Sequence, residues 1–164
     1  VILISQFSSD FDRSSFVCGI GDLDVYLKHQ LSQDVKKGVA AGFILHEKGS
    51  REIIGYYTLS ALSVSLSLIP DAMSRKLPGY PQIPATLLGR LAVAEKYQGK
   101  GFGEILLLNA LQRAWENRQV IASWAVCVDA KDESAVRFYK HFGFQKIAGN
   151  KRLFLPMKSV GKLF

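Results

Sequence analysis

Leu91-Ala92-Val93-Ala94-Glu95-Lys96-Tyr97-Gln98-Gly99-Lys100-Gly101-Phe102-Gly103 is the stretch on which the reading of this chain turns. Residues 86–93 are a mostly apolar run of strand length, residues 96–100 are a turn, and Gly101 opens a helix. The apolar residues of that helix include Ile105, Leu106, Leu108, Ala110, Leu111, Ala114 and Trp115. A strand, a glycine-rich turn and a long helix in succession have a mechanical meaning. Glycines let backbone N–H groups converge on one point with no Cβ in the way, and the helix N-terminus adds partial positive charge. Together they make a seat for a pyrophosphate, with Lys100 at its rim. The turn is not a Walker loop, because no Gly-Lys-Ser/Thr follows at that spacing. It is a poor dinucleotide fingerprint too, because the third glycine position holds Leu106. Taken alone, a plain strand–helix connection explains it equally well.

Upstream, Val1 to Ile4 read as a first strand, since no basic segment precedes them as in a signal peptide. Leu23, Tyr26, Leu27, Gln30, Leu31 and Val35 recur at helical spacing, with Asp22 and Asp24 near the N-terminus, which predicts a helix over 22–37 ended by Gly38. Residues 39–46 and 52–59 read as a hairpin about the turn Lys48-Gly49-Ser50. Leu62, Val64, Leu66 and Leu68 alternate with serines, which argues a half-buried strand or an extended edge segment closed by Pro70. A short helix over 71–77 and a proline-rich loop follow. Downstream, 121–128 reads as a buried strand, 133–142 as a helix capped by Asp132 and ended by Gly143, and 144–147 with 152–155 as a last hairpin. The order gives an α/β (α+β) fold, a mixed sheet with helices on its faces.

The chain has 164 residues, enough for a single domain spanning 1–164 with one full core. Hydrophobic residues at 48% and charged residues at 21% exclude disorder. No uncharged apolar run approaches the roughly 20 residues of a membrane span, so no membrane partner is expected. Cys18 and Cys127 lie far apart, with no metal-ligand spacing; Cys127 is expected as a buried strand thiol, no metal is expected, and a reducing cytoplasm is the default. Twenty-one Lys and Arg against 14 Asp and Glu give a net charge of +7, which favours polyanionic partners such as a phosphate-rich cofactor or a nucleic acid.

A second constellation follows the turn: Asp132, Ala135, Phe138-Tyr139 and Gly143-Phe144. Phe138 and Phe142 stand four apart and are expected in the core, which would turn Tyr139 to a groove. There a phenol could donate a proton to a leaving thiolate; a surface tyrosine is the plainer reading. The two motifs together, Gln98-x-x-Gly101-x-Gly103 after Leu91-Ala92-Val93 and Ala135 to Phe144 downstream, resemble the GNAT superfamily of N-acetyltransferases. The resemblance spans nearly the whole chain and implies a mixed, mostly antiparallel central sheet flanked by helices. It implies that Gln98, Gly99, Lys100, Gly101, Phe102 and Gly103 hold the acetyl-CoA pyrophosphate. Leu91, Ala92 and Val93 would present backbone groups to the pantetheine arm and thioester, with Asp132, Ala135 and Phe138 completing the cofactor set. Tyr139 would lie near the thioester sulfur as the catalytic acid.

Further segments narrow the resemblance: Gly21-Asp22-Leu23-Asp24, Gly55-Tyr56-Tyr57-Thr58-Leu59, Leu77-Pro78-x-Tyr80-Pro81, Leu88-Gly89-Arg90 and Leu153-Phe154-Leu155-Pro156-Met157. They are similar to the GNAT toxins of bacterial type II toxin–antitoxin modules, the TacT/AtaT-like group. One departure is that Ala94-Glu95 stands where an acidic residue more often follows Leu-Ala-Val directly. The narrower resemblance implies acetylation of the α-amino group of aminoacyl-tRNA and inhibition of translation. It also implies a ribbon-helix-helix antitoxin, operator DNA reached only through that antitoxin, and a homodimer.

Elementary chemistry is compatible with such an acceptor. An amine attacks a thioester only when neutral; a lysine amine near pKa 10.4 needs a base, whereas a peptide-like α-amine at about 7.7–8.0 needs little help. Glu95 and Asp132 are weak candidate bases. Lys36, Arg75, Lys76, Arg90, Arg137 and Lys140, with Lys37 and Lys151, are the candidate tRNA contacts, Arg90 foremost because it adjoins the cofactor strand. Two rival readings remain open: a GNAT enzyme acting on a protein N-terminus, polyamine or other small amine, and a non-catalytic partner in a DNA-bound repressor complex.

Overall fold

The computed structural model describes residues 1–147 and 151–164. Its strands are β1 (Ile2–Gln6), β2 (Ala41–Glu47), β3 (Gly55–Ser65), β4 (Gln82–Val93), β5 (Ala125–Asp129), β6 (Gln145–Lys146) and β7 (Arg152–Pro156). They hydrogen-bond in the order β1-β2-β3-β4-β5-β7-β6. The β4–β5 pairing is parallel, whereas β1–β2, β2–β3, β5–β7 and β6–β7 are antiparallel. The helices are α1 (Gly21–Val25), α2 (Leu31–Lys36), α3 (Asp71–Ser74), α4 (Phe102–Asn117), α5 (Glu133–His141) and α6 (Met157–Gly161). The expected mixed, mostly antiparallel sheet with flanking helices is what the chain forms. It divides into two compact units, Val1–Ser60 with Gly89–Ala110, and Ala61–Leu88 with Leu111–Phe164.

In the first unit, Leu23, Tyr26, Leu27 and Leu31 pack into one core with Phe16, Ile44, Ile53, Tyr56 and Ala92. The helix expected over 22–37 is present but not uniform. A π turn, Tyr26–Gln30, separates α1 from α2, and the Leu31 N–H donates to the Tyr26 carbonyl five residues back. Gly38, in the left-handed region at φ 74°, ends the helical stretch as expected. The second hairpin strand starts later than expected, at Gly55, because Glu52 is taken up in an isolated bridge with Asp12.

In the second unit, Val64, Ile69, Ile83, Ala85, Ala125, Cys127, Ile147 and Phe154 form the core. The serine–leucine alternation is no separate strand. It continues β3 to Ser65 and then curls into a 3₁₀ turn over Leu66–Leu68. The strand expected over 121–128 begins only at Ala125. Val120 and Ile121 are 82% and 75% exposed, because their N–H groups both turn back to the Asn117 carbonyl at the end of α4. Cys127 is the buried strand thiol anticipated, its ionisation pushed up to about 11 by burial. The Asp132 side chain caps α5, accepting from the Ala135 N–H at 2.8 Å, and Gly143 at φ 97° ends it. The last hairpin is present as β6 and β7, and its connecting residues 148–150 lie outside the described residues. Helix α6 was not expected; it buries Met157 and Val160, and its Gly161 leaves no room for a Cβ against the Trp115 ring.

Candidate active site

The glycine turn has the geometry that anion binding requires. Gly99 and Gly101 take φ 78° and 86°, with no non-glycine residue at positive φ in the described chain, so Lys100 between them is on the ordinary side. A Cβ at either glycine would meet no atom within 4 Å, so glycine is needed for conformation, not for space. Alternation of left- and right-handed residues gathers successive N–H groups into a concave nest. The first bond of α4 runs from the Ile105 N–H to the Gly101 carbonyl at 3.2 Å, and the N–H groups ahead of it have no helical partner. Helix charge and nest therefore point the same way, toward a phosphate.

The turn is anchored from behind. The Gln98 amide nitrogen donates to the Cys18 carbonyl at 2.8 Å and to the Val93 carbonyl at 2.9 Å. Its donors are thus engaged in fixing the turn to the end of β4 and to the loop before α1. Lys96 pairs with Glu52 at 2.7 Å, Tyr97 hydrogen-bonds the same carboxylate, and the Tyr97 ring meets Phe102 edge-on. The Lys96 and Tyr97 bonds hold the Glu52 carboxyl below its ordinary range. Lys100 is exposed, 5.8 Å from the Tyr97 ring centre.

Strand β4 delivers the thioester-strand candidates to this turn. Ala92 is buried, and Leu91 and Val93 are half-buried. The ladder of β4 with β5 pairs Thr86–Leu88 with Val126–Val128, and β4 runs on for five residues past it. Gly55 crosses β4 so closely that a Cβ would lie 2.8 Å from the Ala92 carbonyl and from a Leu106 methyl. Glu95 is exposed, beside a cleft of about 460 Å³ lined by Phe16, Val17, Ile53 and Ala94. On α4, Leu106, Leu107, Ala110, Leu111 and Ala114 are buried, while Ile105, expected inside, is 44% exposed.

In the second unit, Tyr139 differs from expectation. It is 6% exposed, whereas Phe138 and Phe142, expected in the core, are half-buried. The inward face of α5 carries Val136 and Tyr139, and Phe144 closes on it. Tyr139 meets Phe138 and Phe144 edge-on, with ring centres 5.2 and 5.4 Å apart. Burial raises its phenol well above the ordinary tyrosine range, so it is a protonated group at any physiological pH. Asp132 spends its carboxylate on the cap of α5, and Ala135 is half-buried above it.

Of the basic candidates, Lys36, Arg75, Lys76, Arg137, Lys140 and Lys151 are exposed. Arg90 is different. It is half-buried, with its guanidinium 3.6 Å from the centre of the Tyr26 ring. Tyr26 in turn donates to Asp34 at 2.7 Å. Tyr26 stood out in the sequence only as part of the apolar helical face, and Asp34 did not stand out, because at uniform helical spacing the two do not share a face.

Comparison with known proteins agrees with this geometry. The model of the Acetyltransferase (GNAT) family matches residues 19–144. A tRNA-acetylating toxin of Mycobacterium tuberculosis is 34% identical over 140 residues, covering 85% of this chain and 82% of that protein. A protein of Sinorhizobium fredii described as a probable toxin TacT is 29% identical over 160 residues, with 93% and 88% covered. Among solved structures, AtaT complexed with acetyl-methionyl-tRNAfMet superposes with a TM-score of 0.92 at 30% identity, covering 100% of this chain and 99% of that one. AtaTR bound with acetyl-CoA gives 0.88 at 30%, with 99% and 98% covered. A tyrosine-to-phenylalanine variant of AtaT bound to the C-terminus of the antitoxin AtaR and acetyl-CoA gives 0.85 at 28%, with 100% and 98% covered.

Proposed function

This chain belongs to the GNAT family of acetyltransferases, and we propose that it transfers the acetyl group of acetyl-CoA to the α-amino group of an aminoacyl-tRNA. The result is a block on translation, so the protein acts as the toxin of a toxin–antitoxin module, as one cytoplasmic acetyltransferase domain that pairs into a homodimer. A ribbon-helix-helix antitoxin neutralises it, and operator DNA is reached only through that antitoxin. The observation that carries the donor half is the pair of left-handed glycines, Gly99 and Gly101, at the head of α4. A nest on a helix N-terminus fits a pyrophosphate, and open space beyond both glycines leaves room for one. The acceptor half is supported by what the relatives at 30% identity or more act on or bind.

The roles of the residues follow from their chemistry. The N–H groups of residues 99–103 bind the pyrophosphate, with Lys100 adding charge. Gln98 holds the turn in shape through Cys18 and Val93. Backbone N–H groups of residues 91–93 orient and polarise the thioester carbonyl. The neutral acceptor amine adds to that carbonyl carbon, the C–S bond breaks, and the amide forms with no acyl-enzyme. The amine sheds a proton to solvent, and the leaving sulfur gains one from Tyr139, which recovers it from solvent in turn. Asp132 caps the helix that carries Tyr139 and is not needed as a base. Among the described residues no group of three or more His, Cys, Asp or Glu side chains could hold a metal ion. No helix there is long and apolar enough to cross a membrane.

The test is radiolabelled acetyl transfer from acetyl-CoA to charged tRNA, with uncharged tRNA, a peptide N-terminus and a polyamine as competitors. Label released with the aminoacyl group on mild alkaline deacylation is the expected result. Label only on the peptide or polyamine would replace this reading with the small-amine one.

A further inference from the structure

The π turn between α1 and α2 has a geometric consequence. An α-helix advances about 100° per residue, so the eight steps from Tyr26 to Asp34 would leave the two roughly 80° apart. A π turn takes up one extra residue, which makes the spacing equivalent to about seven steps and brings them within roughly 20° of eclipse. The bond that marks this turn, from the Leu31 N–H to the Tyr26 carbonyl, lies between them. The Tyr26 phenol accordingly donates to one Asp34 oxygen at 2.7 Å, and the Gln30 amide donates to the other at 2.8 Å. Both bonds hold the Asp34 carboxyl below its ordinary range, and Arg90 lowers it further.

This row sits beneath Arg90. The Arg90 guanidinium lies over the Tyr26 ring at 3.6 Å, a distance that means face-to-face stacking. Stacking uses the flat face of the guanidinium and leaves its edge free, and that edge carries all five N–H donors. Among the described residues none of those donors is spent on a hydrogen bond, although Arg90 is half-buried and adjoins Leu91. A planar cation clamped by its face, with a full set of donors unused, is an anion site built in advance.

We propose that Tyr26, Gln30 and Asp34, aligned by the π turn, are positioning residues that hold Arg90 edge-outward to bind a backbone phosphate of the acceptor RNA strand. The proposal rests on the aminoacyl-tRNA reading for the identity of the RNA. Tyr26 supplies the stacking face, Asp34 and Gln30 fix the orientation of that face, and Arg90 alone touches the phosphate. Loss of Arg90 removes one phosphate contact, and loss of Asp34 unsettles the same contact without removing the charge.

Two measurements on the purified protein test this. Acetyl transfer to charged tRNA is followed across a salt series, and uncharged tRNA is titrated by fluorescence anisotropy over the same salts. Arg90→Gln is expected to raise KM for charged tRNA about tenfold and to reduce the salt slope of tRNA binding by roughly 0.7–0.9, as one lost phosphate contact does. Asp34→Asn and Tyr26→Phe are expected to raise KM several-fold with kcat within about twofold, and to have no further effect once Arg90 is Gln. Melting curves establish that each variant is folded. An unchanged salt slope in Arg90→Gln, or an Asp34→Asn penalty equal in both backgrounds, overturns the phosphate site. Wild-type protein that binds tRNA with an Arg90-dependent slope but transfers no acetyl group to it overturns the acceptor reading and leaves the site standing. Absence of any tRNA binding overturns both.

Discussion

Tyr139 and Phe144 meet edge-on with their ring centres 5.4 Å apart, so the proposed acid of the reaction is also a member of the core. Its hydroxyl and its ring have separable roles, and Tyr139→Phe separates them. The ring packing survives, and with it the fold; the proton for the leaving sulfur does not. Turnover is expected to fall about 10²–10⁴-fold, the usual worth of a positioned acid. The acetyl-CoA dissociation constant, read by calorimetry, should stay within a few-fold of the wild-type value. Undiminished turnover would remove Tyr139 from the chemistry.

The pH dependence follows from the same burial. The Tyr139 phenol is raised above its ordinary value, so it stays protonated through the neutral and mildly alkaline range. The log of kcat/KM should therefore rise with pH until the acceptor amine, near 7.7–8.0, is neutral, and then run flat to about pH 10. A falling limb below pH 9 would contradict a buried phenol as the donor. Stability carries a matching signature. Tyr26, Tyr56 and Tyr139 are all raised, mainly by burial. Each keeps its proton in the fold after the unfolded chain would lose it, so unfolded tyrosines bind fewer protons above about pH 10. Their contribution is complete below that pH and is lost as pH rises toward the folded values. Urea midpoints measured between pH 8 and 11.5 should be level at first and then decline.

Gly99 and Gly101 test the seat itself. Alanine at either position meets no neighbour, so its cost is confined to a left-handed backbone, about 1–2 kcal/mol if the turn holds its shape. Relief of that strain would rotate N–H groups out of the nest. Gly99→Ala and Gly101→Ala are expected to weaken acetyl-CoA binding tenfold or more while lowering the melting temperature by only several degrees. Calorimetry and a thermal melt on the same samples check both halves, and unimpaired binding would mean that the nest is not the seat.

Sequence patterning reached some of these features and missed others for identifiable reasons. The glycine turn was legible because glycine is the residue that left-handed φ demands. The cap and stop of α5 were legible because Asp132 and Gly143 do there what such residues do elsewhere. Hydrophobicity alone assigns Phe138 and Phe142 to the core and Tyr139 to a groove, whereas the structure buries Tyr139 and leaves both phenylalanines half-buried. The closing contact comes from Phe144, beyond the helix end, which no helical wheel includes. Ile121 misled for a related reason: an apolar residue at the head of an apolar run reads as strand even where a helix end folds it outward. The alignment of Tyr26 with Asp34 was beyond reach, because it depends on a π turn that has no residue signature in this chain. The role of Gln98 was visible only in part, since the Cys18 carbonyl that receives its amide comes from a loop 80 residues away.

Gly55 shows how tightly the first unit constrains β4. An alanine methyl there would lie 2.8 Å from the Ala92 carbonyl and from a Leu106 methyl, and 3.5 Å from the Val93 Cα. The Leu106 side chain can yield, but the Ala92 carbonyl belongs to a strand backbone and can move only with its strand. That strand is the one proposed to orient the thioester, and Ile54 next door already accepts from the Ala94 N–H at 2.8 Å. Gly55→Ala should therefore cost about 1–3 kcal/mol as an overpacked core position. It should also lower kcat/KM more than the stability loss explains at a temperature where the protein remains folded. Gly49→Ala is the control: unlike Gly55, Gly49 lies at positive φ, a Cβ there meets nothing within 4 Å, and Gly49 itself has no role in the proposed site. Its effect should be confined to stability. If the two variants lose stability alike and both keep full activity, the close approach of Gly55 to β4 has no part in positioning the thioester strand.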